Sequence, residues 1–287
     1  MYMYLVIDGM KLKHALIKGG EIMHEEIIAA NEAAWSTLSK DHYEHFRKLL
    51  KDENFTLNPL VIEGLGSVVG KRILHLQCNT GADSILLARM GATVTGVDLS
   101  HENIHYATLL AQDSGIDSVQ FIQSDVLKLR EVHEGAYDIV LTSDGAIGWL
   151  PDLKIWGQVI AHFLKPDGIF FLHDSHPFMM IFDEEELTKG NLSPSYPYFD
   201  TAPERDTTIG GYASKPKIAE NYFFGHTLST ILQGLIQAGL YLTDFREYDR
   251  CVPGMGGSRL DERGLCYYPE LEGKLPLVMS LTAKKLP

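Results

Sequence analysis

Five short apolar runs alternate with helical segments between residues 72 and 173, and this rhythm constrains the fold more than any other feature of the chain. Arg72 to Leu76, Thr93 to Val97, Val119 to Ile122, Tyr137 to Thr142 and Gly168 to His173 have the length and apolarity of buried strands. Between them, the segment from Ala82 carries Ile85, Leu86 and Ala88 and stops near Gly91. Ser100 is a natural N-cap for a helix bearing Ile104, Ala107 and Ala111, which Gly115 ends. Pro151 suits the first turn of a helix whose Leu153, Trp156, Ile160 and Phe163 share one face. Strands joined through helices run parallel, and their sheet is covered on both faces. His226 to Gly239 again repeats at helical spacing, and Tyr241 to Tyr248 and Leu275 to Ala283 read as closing strands. The link between that last pair holds no crossover helix, so they should be antiparallel. The expected fold is α/β: seven strands, mostly parallel, an antiparallel last strand, helices on both faces and an inserted lid.

Residues outside this rhythm divide the chain. Residues 1–22 read as an N-terminal extension, either a short appended strand pair or a stretch upstream of a natural start at Met23. Residues 23–60 read as a helical lid, with Tyr43, Phe46, Leu49 and Leu50 as its apolar stripe. Residues 61–287 form the core domain, interrupted at about 175–225 by an acidic, proline-containing and aromatic-rich insertion that would close over a substrate.

Composition narrows the partners. Lys and Arg number 25 against 38 Asp and Glu, a net charge of -13, and no basic run is present. Nucleic acid is therefore disfavoured, because its binding rests on neutralising phosphate. The three cysteines, Cys78, Cys251 and Cys266, suit neither a disulfide framework nor a tetrahedral metal site, and a cytoplasmic location is expected. No apolar stretch approaches the roughly 20 residues that a membrane-spanning helix needs. A homodimer is left open.

The candidate binding residues sit where strands end. In an open parallel sheet, ligands bind beyond the carboxyl ends of the strands. The turn Gln77 to Gly81 follows the first strand and aims backbone N–H groups and a helix start at a polar ligand group. Asp98 ends the second strand, placed to accept both ribose hydroxyls of a nucleoside, and Asp125 ends the third. Asp125 with Val126 suits an adenine, the carboxylate taking the exocyclic amine and the aliphatic chain covering the ring. A nicotinamide oxidoreductase would use a similar carboxylate, but its turn requires three glycines in G-x-G-x-x-G.

The ordered set ILHLQCNTG, GVDLS, SDVL, YDIV and LKPDG resembles the class I S-adenosylmethionine-dependent methyltransferases, over roughly Tyr43 to Ala283. The resemblance implies a Rossmann-like sheet with the methyl donor over its first two strands. Carried onto matching positions, it implies that Gln77, Cys78, Asn79, Thr80 and Gly81 face the methionine part. Asp98 and Leu99 would then hold the ribose, and Asp125 and Val126 the adenine. Thr142 and Ser143 would lie beside the reacting methyl, and Tyr43 would touch the donor. The chain departs from the family turn, where an acidic residue precedes three alternating glycines: here His75, Gln77 and Asn79 take those places and only Gly81 remains. Asn79 tolerates left-handed backbone, and Gln77 is the poorer fit.

The expected activity is methyl transfer to a heteroatom of a small molecule, with S-adenosyl-L-methionine as cofactor and S-adenosyl-L-homocysteine as product. His176, two residues beyond His173 and Asp174, is the candidate general base, since imidazole titrates near neutral pH. Asp144 reads as a turn or helix-start residue. No metal is expected. A donor-binding partner or sensor without catalysis remains the alternative from another class.

Overall fold

The computed structural model describes residues 24–200 and 202–285. The expectations for residues 1–22 and for a start at Met23 lie outside the described residues. The chain opens with α1 (His24–Leu49) and α2 (Pro59–Leu65), then runs β1 (Arg72–Leu76), α3 (Ala82–Arg89), β2 (Thr93–Asp98), α4 (His101–Asp113), β3 (Val119–Gln123) and α5 (Leu129–Val132). It continues through β4 (Tyr137–Ser143), α6 (Leu153–Phe163), β5 (Leu164–Ser175), α7 (Glu184–Thr188) and a hairpin, β6 (Pro203–Gly211) and β7 (Ser214–Phe224). The chain closes with α8 (Leu228–Gln237), β8 (Leu240–Tyr248), the short pair β9 (Arg259–Leu260) and β10 (Cys266–Tyr267), and β11 (Val278–Lys285).

Seven strands form one sheet in the order β3-β2-β1-β4-β5-β11-β8. The strands from β1 to β5 pair in parallel, and β11 pairs antiparallel with both β5 and β8. Strand order reverses at β1, which lies between β2 and β4, so the crevice at the carboxyl ends opens there.

Alternation along the strands separates two cores. Leu74 and Leu76 of β1 pack with Trp156, Ile160 and Phe163 of α6 and Leu235 of α8 on one face. Ile73 packs with Val61 of α2, Ile85 of α3 and Leu110 of α4 on the other. Both layers are closed by local chemistry: Ser100 caps α4 by accepting from Asn103 N, and Asp152 caps α6 by accepting from Lys154 and Ile155 N. Pro151 therefore lies just outside α6, before its cap, and not in its first turn. The Lys165-Pro-Asp-Gly168 segment is a bulge within β5, with Asp167 at φ +63, and not a turn ahead of it.

The insertion folds as the twisted hairpin β6–β7, paired antiparallel. Asn31 of α1 fastens it by imitating a strand: its side chain donates to Tyr222 O at 2.9 Å and accepts from Tyr222 N at 2.7 Å. Ala34 and Leu38 of α1, Trp149 and Ile209 make a small core of their own beneath the hairpin. Helix α1 and the hairpin thus roof the carboxyl ends of the sheet.

Candidate functional site

The turn after β1 keeps the backbone of a glycine-rich turn with only one glycine. Gln77 at φ +56, Asn79 at φ +52 and Gly81 at φ +76 are all left-handed. Gly81 is irreplaceable on space as well, since a Cβ there would meet the Phe121 ring at 2.5 Å. Asn79 is held by its own chemistry: its Oδ1 accepts from Thr80 N at 2.6 Å and pairs with His42 Nδ1 at 3.1 Å. Burial lowers the His42 pKa to about 4, so its ring is neutral, donates through Nδ1 and leaves Nε2 buried without a partner. The less suitable Gln77 is compensated differently. Its Nε2 donates to Ala146 O at 2.7 Å, which ties the β1 turn to the loop after β4 and leaves Oε1 buried and unpartnered.

Asp98 locks this turn from β2. Its Oδ2 accepts from Asn79 N at 2.8 Å, and its Oδ1 accepts from Ser100 N and Asn103 Nδ2, both at 3.0 Å. Burial pushes its carboxyl above the usual range, against the pull of those three donors. A carboxylate has about four acceptor sites, so one remains for a ligand hydroxyl. Asp125 accepts from Leu127 N at 2.9 Å and stands beside the buried Val126.

These groups line one cleft, partly open to solvent. Gln77, Cys78, Asn79, Thr80, Asp98, Leu99, Asp125, Val126 and Ser143 all border it. Thr142 is brought close but turns into the core, fully buried, with its Oγ1 unpartnered. Cys78 is a neutral thiol, since burial raises its pKa well above the ordinary value.

Two expectations are corrected. Tyr43 lies outside the cleft: its hydroxyl donates to Asp113 Oδ2 at 2.7 Å and its ring packs on Tyr106 of α4. His176 is also absent from the lining. Its backbone N donates to Leu277 O at 2.9 Å, extending the β5–β11 pairing, and its Nε2 lies 2.9 Å from Glu247 Oε1 on β8. The imidazole is turned toward β8, the edge strand of the sheet, and away from the cleft.

The roof supplies residues that the sequence did not single out. Trp35 and Trp149 meet edge to face at 5.1 Å, and Tyr212, in the hairpin turn, lies 5.2 Å from the His42 ring. All three border the cleft except that His42 itself stands behind. At its floor, His75 replaces the family's acidic residue; Nδ1 pairs with Ser84 Oγ at 2.8 Å, and burial lowers its pKa to about 4.

The loop after β4 hangs on Asp174. Its carboxylate accepts from Gly145, Ala146 and Ile147 N at 3.0–3.1 Å and from Ser175 N at 2.7 Å. Burial nevertheless raises its pKa to about 6. A raised folded pKa stabilises fully below the unfolded value near 3.8, and that stabilisation is lost as pH rises through about 6. The stability of wild type relative to Asp174→Asn should therefore fall by up to about 3 kcal/mol between pH 4 and pH 7. Urea unfolding of both proteins at several pH values checks it; a pH-independent difference would show that Asp174 does not titrate in this window.

Among the described residues, no group of three His, Cys, Asp or Glu side chains could hold a metal ion, and no helix is long and apolar enough to cross a membrane.

The fold and cleft define an α/β protein with a cleft at the switch point of a β3-β2-β1-β4-β5-β11-β8 sheet. Residues 67–209 match the family model described as a methyltransferase domain. The ubiquinone biosynthesis O-methyltransferase of Escherichia coli O7:K1 (strain IAI39 / ExPEC) is 32% identical over 163 residues, 54% of this chain and 63% of the relative. Its counterpart from Cronobacter sakazakii is 35% identical over 120 residues, 40% of this chain and 49% of the relative. The matched segment thus spans less than two thirds of the length of these relatives. Among solved structures, an S-adenosylmethionine dependent methyltransferase from Mesorhizobium loti aligns with a TM-score of 0.52 at 18% identity, covering 79% of this chain and 96% of that one. DhpI in complex with S-adenosylhomocysteine aligns with a TM-score of 0.53 at 17% identity, covering 91% and 98%. Residues 67–209 thus match a methyltransferase domain, and the chain has the fold of these S-adenosylmethionine dependent methyltransferase structures.

Proposed function

We propose that the protein transfers a methyl group from S-adenosylmethionine to a heteroatom of a small molecule enclosed under the α1–hairpin roof. The observation that carries this reading is the left-handed 77–81 turn locked to Asp98 by the 2.8 Å bond from Asn79 N. The residues present fit the donor. Gln77 Oε1 is a buried acceptor without a partner, suited to the methionine ammonium. Asp98 retains an acceptor site for the ribose, and Asp125 with Val126 offers the carboxylate and apolar face that an adenine needs.

When bound, the cofactor supplies an electrophilic methyl group on a positively charged sulfur. The protein contributes position and enclosure. The β1 turn and Asp98 fix the donor end, while the loop after β4, held by Asp174, fixes the neighbouring wall. Trp35, Trp149 and Tyr212 exclude water from between them. Orientation of this kind can account for about 7–11 kcal/mol of a barrier in favourable models.

Calorimetric titration with S-adenosylhomocysteine and with NAD tests the cofactor, and incubation of a small-molecule extract with methyl-labelled S-adenosylmethionine tests turnover. Micromolar binding of the first nucleoside only, with label transferred to a small molecule, is expected. NAD binding at the same site would favour an oxidoreductase, and donor binding without any transfer would favour a sensor; either result removes the proposal.

A further inference from the structure

The cleft has an unusual charge balance. Among the described residues, its lining carries four carboxyl groups, Asp83, Asp98, Asp125 and Asp144, and neither Lys nor Arg. Asp98 and Asp125 cap their own loops and face the nucleoside end. Asp144 differs from both. It follows β4, next to β1 in the sheet, on the opposite side of the 77–81 turn from Asp98. Its side chain is only 8% exposed, and its Oδ1 accepts from Asn58 Nδ2 at 3.1 Å. The other oxygen, Oδ2, is buried with no hydrogen-bond partner. A left-handed backbone, φ +58, holds the residue in this place. A buried carboxyl oxygen without a donor is costly, and a ligand hydrogen would satisfy it.

We propose that the methyl acceptor is an amine, held as its cation by Asp144 among the Trp35, Trp149 and Tyr212 rings, with Asp144 taking the proton that the nitrogen gives up. This rests on the methyltransferase reading above. An acceptor bearing carboxylate or phosphate would enter a cleft lined by four carboxyl groups and, among the described residues, by no Lys or Arg. A phenol would have to become an anion there, whereas an amine passes from cation to neutral. Aromatic faces attract a cation as well. In the transfer, R–NH3+ gives one proton to the Asp144 carboxylate, and the freed lone pair forms the N–C bond to the methyl carbon. The C–S bond breaks with its electron pair staying on sulfur, and the products are R–NH2+–CH3 and S-adenosylhomocysteine. The Asp144 proton returns to solvent.

Protonation supports the assignment. Burial pushes the Asp144 carboxyl well above the usual range, and Asp83 on α3 adds to the push. The other groups facing it are His173 and Asp174 of β5, Tyr212 of the hairpin and Cys251 of the C-terminal loop. His173 is neutral, its pKa lowered to about 3 by burial. The carboxyl of the free protein therefore holds its proton more tightly than a solvent-exposed aspartate, and an arriving ammonium favours its ionised form.

The probes are tyramine, 4-ethylphenol and 3-(4-hydroxyphenyl)propionate, one skeleton bearing a cation, no charge or an anion. Each is titrated calorimetrically into protein loaded with S-adenosylhomocysteine. Tyramine should bind about 10- to 100-fold more tightly than the phenol, the margin of a charge-assisted hydrogen bond, and the propionate more weakly than either. Tyramine binding should release protons, read from the dependence of the heat on buffer ionisation enthalpy. Asp144→Asn keeps the Asn58 bond and suits the left-handed backbone, so it should retain its melting temperature and its S-adenosylhomocysteine affinity while losing both the preference and the proton release. Equal binding of the phenol or the propionate, no tyramine binding, or a preference that survives in Asp144→Asn overturns the proposal. Loss of S-adenosylhomocysteine binding in Asp144→Asn would assign Asp144 to the donor and overturn it too. Failure of the wild-type protein to bind S-adenosylhomocysteine would instead sink the methyltransferase reading.

Discussion

Asp98→Ala is expected to lower affinity for S-adenosylhomocysteine by about 100-fold and to cost about 3–5 kcal/mol of folding stability. Both effects have one source. The carboxylate collects Asn79 N, Ser100 N and Asn103 Nδ2, so alanine leaves three donors unanswered in a buried place. Without the Asn79 bond, the 77–81 turn keeps the Cys78 N to Val97 O bond to β2 at 2.9 Å but loses its tie at Asn79, and its left-handed Gln77 and Asn79 each cost about 1–2 kcal/mol to maintain. Asp98→Asn separates turn from ligand. Its Oδ1 can still take Ser100 and Asn103, but its Nδ2 would face Asn79 N, donor against donor. Stability should recover by about half while nucleoside affinity stays low. Thermal unfolding and calorimetry on both variants check this, and an Asp98→Ala protein that binds like wild type would remove the site described for the ribose.

Much of this arrangement is legible in the sequence, because strand-end carboxylates need only the strands to be found. Asp98 and Asp125 follow apolar runs of recognisable length, and the strand order places both at the same crevice. The direction of a side chain on a helix is less legible. The buried stripe of α1 runs Ile27, Asn31, Ala34, Leu38, Ser39, His42, Phe46, and three of its members are polar. Apolarity alone selects Tyr43 in place of His42, one step and about 100° around the helix; Tyr43 packs on α4, whereas His42 reaches Asn79 of the 77–81 turn. His176 misleads for a related reason. Its position near a strand end is right for a base, but continued pairing of the backbone with β11 fixes its imidazole toward Glu247. The lid hairpin is illegible because its ribbon exposes most of one face, and bulges between Asp206 and Thr208 and between Ile209 and Gly211 break the period of two. Tyr212 therefore carries no signal that separates it from its aromatic neighbours. Asp144 reads as a turn former, and only its burial gives it another meaning.

Contacts between elements far apart in sequence are hidden altogether, and the contact of α6 with α8 gives the second large prediction. Gly157→Val should cost about 4 kcal/mol or more. Helix propensity argues the other way, because glycine inside a helix is the poorer former by up to about 1 kcal/mol. Sterics win. A Cβ on Gly157 would run into the carbonyl of Gly234 on α8, and one on Gly234 would meet Leu153 O at 2.5 Å. The obstacle in both cases is backbone, which cannot swing aside as a side chain can. The two helices would have to separate, opening the core in which Trp156, Val159 and Ile160 pack against Leu235 and the sheet. Because that core lies beneath β4 and β5, the strands that carry Ser143, Asp144 and Asp174, the damage should reach the cleft as well. Denaturant unfolding should show the midpoint falling steeply for Gly157→Val, and also for Gly157→Ala, in which propensity and clash oppose each other. If the alanine variant were as stable as wild type, the helices would be free to separate without loss, and the close backbone contact would contribute nothing to holding the wall of the site.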